Sequence, residues 1–219
     1  MGIGSSIRAA LGAVAPAALV QRGPRRRKGC CAITFDDGPH PEQTPRILDC
    51  LDEHGARATF FVIGAKVASL PGLTREVAAR GHQLGNHGYS HRDARKVALS
   101  ETRQDVLRTQ HLLEDTIGMP IARDYRPPYG RISPLAFLAL VQDGFRFVYW
   151  SKDSRDYRVK DTASLLTSVR SLDVGDGDIL LFHDDYVHTS QAIGAILVEL
   201  RARGLHSETV AALTDRDRG

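Results

Sequence analysis

Two adjacent carboxylates, Asp36 and Asp37, end an apolar run and are followed by the turn residues Gly38 and Pro39. Successive side chains of a strand point to opposite faces, so both carboxylates enter one site only where the strand gives way to the turn. One of them can then bind a metal ion while the other accepts a proton. A turn cap without chemistry is the alternative interpretation of this pair.

Two histidines, His87 and His91, lie four residues apart. On a helical turn they would share a face, and imidazole nitrogens at that spacing can bind one divalent cation. A carboxylate from another strand end would complete a set that leaves a position open for water. Zn²⁺ hydrolases and Fe(II) oxygenases both use such a set. A free carboxylate beside the metal, together with His183, favours the hydrolase.

Two further segments carry candidate residues. Arg126 precedes two prolines, which predicts a rigid loop able to hold a cation and a backbone N–H in place, as an oxyanion site requires. His183 ends an apolar run, and a carboxylate on its second nitrogen, from Asp153 or Asp156, would raise its pKa and suit it to act as an acid. The alternatives are a stiff connector with a surface arginine and a core histidine bonded to backbone.

These candidates all fall at or just after the ends of predicted strands. Short apolar runs alternate with helical periodicity, which is typical of parallel βαβ units, and reacting groups collect at the carboxyl ends of such strands. The predicted strands are 31–35, 58–63, 83–86, 125–126, 145–150 and 178–182. The predicted helices are about 45–54, 73–80, 100–117, 134–143, 162–171 and 191–203. Five glycines are expected to end helices in the left-handed region: Gly55, Gly81, Gly118, Gly144 and Gly204.

Length and composition predict one soluble globular domain. The chain has 219 residues, of which 42% are hydrophobic and 25% charged. Although the net charge is +3, six cations lie in the first 28 residues, where no acid occurs, and the remainder carries 23 cations against 26 acids. A nucleic-acid partner would need a basic face on the folded part, so this class is excluded.

The N-terminal 29 residues are interpreted as a basic tail or extension, and residues 30–219 as the catalytic domain. The apolar residues 9–20 resemble a secretion signal only faintly, since the run is short and an arginine cluster follows it. A cytoplasmic location is therefore favoured over export or a membrane tether. The three cysteines form no disulfide framework and are read as small core residues. The sequence makes no prediction of oligomeric state.

Several motifs in a fixed order resemble the polysaccharide deacetylases, the fourth family of carbohydrate esterases. They are TFDDGPHPEQTPRILDCL, ATFFVIG, GHQLGNHGYSH, YRPPYG and ILLFHD, and the likeness runs from about residue 32 to residue 213. This family includes chitin and peptidoglycan deacetylases and the chitooligosaccharide deacetylase of nodulation. The resemblance implies a single α/β domain folded as a distorted (β/α) barrel with fewer than eight strands.

The resemblance also implies residue roles. One divalent metal ion, Zn²⁺ in preference to Co²⁺, Ni²⁺ or Mn²⁺, would be held by Asp37, His87 and His91. The catalytic groups would be Asp36 as base, Arg126 orienting it, the backbone N–H of Tyr129 at the oxyanion, and His183 paired with Asp156 as acid. The residues expected to contact the substrate are Pro127, Tyr157 and Leu181.

The resemblance is broken at three positions. Gly88 stands where the family usually has Ser or Thr, so a hydroxyl that steadies the metal loop is missing. Tyr125 stands where the family frequently has Phe. Tyr157 stands where the family usually has Trp, and this replacement narrows the apolar wall of the substrate groove. The predicted function is removal of N-acetyl groups from an oligo- or polysaccharide. The alternatives are an amide hydrolase acting on a small non-sugar substrate, a sugar-binding domain of weak activity and an oxygenase.

Overall fold

Parallel strands alternate with helices along the chain, which confirms the predicted α/β class. The computed structural model describes residues 15–24 and 27–214. The strands within these ranges are β1 Leu19–Val20, β2 Cys30–Asp36, β3 Ala58–Val62, β4 Gln83–Asn86, β5 Asp124–Tyr125, β6 Arg146–Val148, β7 Lys152–Asp153, β8 Ile179–His183 and β9 His206–Ser207. The α-helices are α1 Gln43–Glu53, α2 Gly64–Ser69, α3 Pro71–Ala79, α4 Leu99–Ile117, α5 Pro134–Gln142, α6 Thr162–Arg170, α7 Val187–Ala202 and α8 Val210–Thr214.

Eight of the strands form one parallel sheet in the order β1-β6-β5-β4-β3-β2-β8-β7, and β9 pairs with β2 outside that path. No pairing links β1 to β7 in the described part of the chain, so the curled sheet stays open as a distorted barrel. The six predicted strands do not include β1, β7 and β9, which have only two residues each. Runs that short leave no apolar periodicity in a sequence.

Strand β2 shows why the side chain of Asp36 faces the interior of the barrel. All seven of its residues are buried, as expected for a central parallel strand covered on both faces. The side chains that point outward join the core formed with α1 and α7, and they are Cys31, Ile33 and Phe35. Alternation places the other set on the inner face, namely Cys30, Ala32, Thr34 and Asp36. The inner face is thus apolar near the start of β2 and polar at its carboxyl end.

The predicted helices are present, and their ends agree with the glycine signal. All five glycines expected to end helices have positive φ, between 60° at Gly55 and 84° at Gly144. Helices α2 and α8 were not predicted, since they have only six and five residues. Helix α7 begins at Val187, four residues before the predicted start. All three cysteines are free thiols, and Cys30 and Cys31 are buried.

Part of the segment interpreted as a tail contacts the domain. Strand β1 pairs in parallel with β6, where Leu19 is opposite Phe147 and Val20 is opposite Val148. The proposed boundary between residues 29 and 30 stays a prediction. The signal-like stretch up to residue 14 lies outside the described residues. No helix in the described ranges is long and apolar enough to cross a membrane.

Candidate active site

The polar candidates meet at the carboxyl edge of the sheet because of the strand register. Asp36, the last residue of β2, pairs with His183 at the end of β8. Strand β4 ends at Asn86, directly before His87, and Asn86 pairs with Tyr125, directly before Arg126. In-register parallel strands end together, so side chains from four strands are brought to one place.

Asp37, His87 and His91 present three possible metal ligands to one point. Asp37 Oδ1 lies 3.0 Å from His91 Nε2 and 3.4 Å from His87 Nε2. This buried oxygen nevertheless has no hydrogen-bond partner among the described residues. Zinc–ligand bonds of about 2.0–2.2 Å in a tetrahedron hold neighbouring N and O ligands about 3.3–3.6 Å apart. The 3.4 Å separation lies in this range and the 3.0 Å separation about 0.3 Å below it, so a divalent cation fits the donor types with a small outward shift of His91.

The ring of His87 is oriented by a backbone carbonyl. Its Nδ1 lies 2.7 Å from the carbonyl oxygen of Arg126. A carbonyl only accepts, so Nδ1 carries a proton, and Nε2 is the ring nitrogen that faces Asp37 and can bind a metal ion. This is the usual way in which a metal-binding histidine is held in the required tautomer.

Backbone strain is concentrated around these ligands. Among the described residues, the non-glycine residues with positive φ are Asp37 (73°), His91 (52°), Tyr129 (59°) and Arg155 (58°). Such conformations cost about 1–3 kcal/mol each and persist where the surrounding structure imposes them, often at functional sites. Three of the four are residues that the sequence motifs had singled out. Strict alternation would send the side chains of Asp36 and Asp37 to opposite faces of the sheet. Because Asp37 has a left-handed conformation, its side chain faces the same site as Asp36.

The loop that carries the two histidines is held by a residue that sequence reasoning missed. Asp105, on α4, accepts hydrogen bonds through Oδ2 from the backbone N–H of Tyr89 (2.6 Å) and of Ser90 (3.4 Å), and through Oδ1 from the Ser90 hydroxyl (2.5 Å). Gly88 has φ +77°, and a Cβ there would lie 2.8 Å from Asp105 Oδ2. The carboxylate of Asp105 thus steadies the loop in the absence of a hydroxyl at position 88.

Asp36 is fixed by a fully buried guanidinium. Arg126 Nη1 donates to Asp36 Oδ1 and to Thr34 Oγ1, each at 2.7 Å. The remaining nitrogens donate to the carbonyl oxygens of Val148 (3.0 Å) and Tyr149 (3.2 Å). Since every side of the guanidinium has an acceptor, the buried ion pair has the geometry that offsets its desolvation. Asp36 Oδ2 lies 3.8 Å from His87 Nε2 and so borders the three possible metal ligands.

His183 is paired with the buried carboxylate of Asp156. Its Nδ1 lies 2.8 Å from Asp156 Oδ1, and its backbone N–H donates to Oδ2 at 2.6 Å. The same carboxylate accepts from the Thr189 hydroxyl (3.0 Å) and the Tyr157 N–H (2.9 Å). Burial lowers the pKa of His183, but the carboxylates, Asp156 foremost, outweigh it and raise the pKa to about 9. The imidazolium form is therefore favoured at neutral pH.

A cavity of about 380 Å³ is lined by Asp36, Asp37, His87, His91 and His183. Tyr157 and Leu181, expected to contact substrate, lie on its wall, and Tyr129 is 60% exposed at its rim. Pro127 is buried in the loop and is not part of this wall. Residues of the wall that the motifs did not indicate are Trp150, Arg131, Arg158 and Tyr186. A larger groove, of about 720 Å³, runs along α4 and includes none of the predicted site residues.

Comparison with known proteins gives a consistent result. The family model for polysaccharide deacetylase matches residues 23–148. The chain is 36% identical over 187 residues to a peptidoglycan-N-acetylglucosamine deacetylase of Bacillus cereus, covering 83% of this chain and 86% of that protein. It is 34% identical to a chitooligosaccharide deacetylase of Azorhizobium caulinodans, covering 83% of each. A solved peptidoglycan N-acetylglucosamine deacetylase, in complex with 4-naphthalen-1-yl-N-oxidanyl-benzamide, superimposes with a TM-score of 0.86 at 30% identity, covering 94% of this chain and 98% of that one.

Proposed function

Since the chain belongs to the polysaccharide deacetylase family, we propose that it is a metal-dependent hydrolase that removes N-acetyl groups from an N-acetylated glycan. Its relatives are named for peptidoglycan N-acetylglucosamine and for chitooligosaccharides, which supports an N-acetylated glycan as the substrate class. One observation carries the proposal. A carboxylate clamped by a buried arginine, a second carboxylate grouped with two imidazoles, and a histidine held from behind by a buried aspartate all border one cavity.

Asp37, His87 and His91 would hold the metal ion, for which we propose Zn²⁺. Mixed carboxylate and imidazole donors suit zinc, and the three ligand atoms lie within 4.8 Å of one another. When bound, the ion supplies Lewis acidity toward the acetyl carbonyl and toward a water molecule.

Asp36 acts as the general base in this proposal. Arg126 holds Oδ1, so Oδ2 is the oxygen that takes a proton from the attacking water. The water oxygen adds to the acetyl carbon, and the backbone N–H of Tyr129 donates to the oxygen that becomes negatively charged. The buried guanidinium fixes the direction of Asp36 without itself reaching the substrate.

His183 acts as the general acid. Its Nδ1 is bound to Asp156, so Nε2 is the atom available to the cavity. When the carbon–nitrogen bond breaks, Nε2 transfers its proton to the departing sugar amine, and acetate is the second product. Because the pKa of His183 is raised to about 9, the imidazole is protonated at neutral pH when the amine departs.

The test is acetate release by purified protein from chitooligosaccharides and from peptidoglycan fragments. We expect Asp36→Asn to lower kcat by about 10²–10⁴-fold while the metal content stays at the wild-type value. The matched control is Asp115→Asn, an exposed carboxylate on α4 outside the cavity. Turnover retained by Asp36→Asn would exclude the assigned base. No acetate from either glycan would leave an amide hydrolase of small substrates or a sugar-binding domain instead.

A further inference from the structure

A second group of metal-binding side chains lies at the other end of β2. Cys30, the first residue of that strand, has its Sγ 3.4 Å from His206 Nε2 and 3.8 Å from Glu208 Oε1. His206 Nε2 and Glu208 Oε1 are 3.2 Å apart. The sequence predicts the cysteines to be core residues and does not single out His206, because 176 residues separate Cys30 from His206 and no motif links them. Pairing of β2 with β9 brings them together.

The triangle formed by these three atoms matches a zinc site in size. Bonds of about 2.3 Å to sulfur and about 2.0–2.2 Å to nitrogen and oxygen place tetrahedral ligands about 3.6 Å apart where sulfur is included and about 3.4 Å apart otherwise. The three measured separations, 3.4, 3.8 and 3.2 Å, each lie within about 0.2 Å of those values. A thiolate, an imidazole and a carboxylate are all zinc ligands.

The carboxylate is already oriented for this role. Arg27 binds Glu208 through Oε2, which leaves Oε1 directed at Cys30 and His206. Ligand carboxylates are commonly held in this way by a second partner. The side chain of His206 is 58% exposed, so a water molecule has access to the fourth position.

We propose that Cys30, His206 and Glu208 bind a second Zn²⁺ ion that fastens the start of β2 to β9. The seven residues of β2 span about 20 Å, so this ion lies far from the cavity at the opposite end. Its role is therefore structural. It joins two chain segments that are distant in sequence, and binding to the folded state alone stabilises that state.

Cobalt substitution distinguishes this site from the proposed catalytic one. Only a thiolate ligand gives a sulfur-to-cobalt charge-transfer band in the near ultraviolet, and the catalytic ligands include no cysteine. We expect the Co²⁺-loaded wild type to show this band, Cys30→Ser and His206→Ala to lose it, and His91→Ala to keep it. The matched control is Cys50→Ser, which disrupts the other cysteine-containing group, Cys50, Glu53 and His54.

Metal content and stability give independent readouts. We expect two zinc equivalents per chain in the wild type and one in His206→Ala or in His91→Ala. In the His91→Ala background, added Zn²⁺ should raise the midpoint of thermal unfolding, and the rise should vanish when His206→Ala is added. His206 is largely exposed, so its variant should stay folded even if Cys30→Ser does not.

Two outcomes would overturn the second site. One is a Co²⁺ spectrum without the thiolate band although one equivalent is bound, and in that case Cys30, His206 and Glu208 form a hydrogen-bonded group only. The other is a band that disappears with Cys50→Ser and persists with Cys30→Ser. Neither outcome bears on the proposed deacetylase activity, because acetate release and the zinc equivalent bound at the proposed catalytic site are measured separately.

Discussion

Replacement of Asp156 by Asn should move the alkaline limb of the pH–rate profile. Burial lowers the pKa of His183, whereas Asp156, and after it Asp36 and Asp37, raise it from 6.5 to about 9. Asp156→Asn keeps the shape and one acceptor oxygen but removes the largest favourable charge. The pKa should then return to 6.5 or below, since burial continues to oppose the charged form.

The size of the effect depends on pH. A general acid must be protonated, so activity falls as pH rises through its pKa. At pH 8 a group with a pKa of 9 is about 90% protonated and one with a pKa of 6.5 about 3%, which predicts about a 30-fold loss of kcat/KM from the charge alone. At pH 6 both are mostly protonated and the loss should be small.

The measurement is kcat/KM for acetate release between pH 5 and pH 10, with Asp153→Asn as control. Asp153 lines the same cavity, but it has no contact with His183 among those described, so its variant should leave the limb in place. The free energy of unfolding should also fall as the pH rises through the pKa of His183. The His183 contribution, up to about 3 kcal/mol, is present below pH 6.5 and lost as pH rises through about 9. An unmoved alkaline limb in Asp156→Asn would refute the assignment of His183 as the acid.

Three further substitutions test the supports of the site. Arg126→Met should lower the free energy of unfolding by about 3–5 kcal/mol in urea, because Asp36 would stay buried without its cation; a loss below 1 kcal/mol would contradict this. Gly88→Ala should lower the free energy of unfolding by about 1–2 kcal/mol and weaken zinc binding, since φ is +77° and the new Cβ meets Asp105. Equal or tighter zinc binding would contradict the expected strain. Asp105→Asn should weaken zinc binding about 10–100-fold by releasing the Tyr89 N–H, and calorimetry showing unchanged affinity would exclude that role.

Much of the fold was accessible from the sequence because its elements carry strong periodic signals. The strand predicted at 83–86 has those bounds in the structure, and helices α4 and α5 differ from their predictions by one residue at one end. The placement of reacting groups followed from one rule, that in-register parallel strands end together. The two-residue strands β1 and β7 and the six-residue helix α2 were missed, since two residues show no alternation and six span less than two helical turns.

What the sequence could not provide was contact between distant segments. Asp105 is an ordinary polar residue on a helix, and only the folded loop places its carboxylate against the Tyr89 N–H. Thr189, whose hydroxyl donates to the carboxylate of Asp156, is likewise recognisable only in the folded structure. Gly88 is the instructive position. Judged by the resemblance it lacks a hydroxyl, yet its backbone conformation and the nearby carboxylate make a side chain there unfavourable.

The register of β2 also predicts how its two ends depend on each other. Asp36 is held by the pairing of β2 with β3 and β8 on both sides and by Arg126, none of which involves Cys30. Because these contacts fix the carboxyl end of the strand, loss of a metal ion from Cys30 should lower stability without changing kcat. An equal fall in kcat and in the unfolding midpoint of His206→Ala would mean instead that the start of β2 controls the geometry at Asp36.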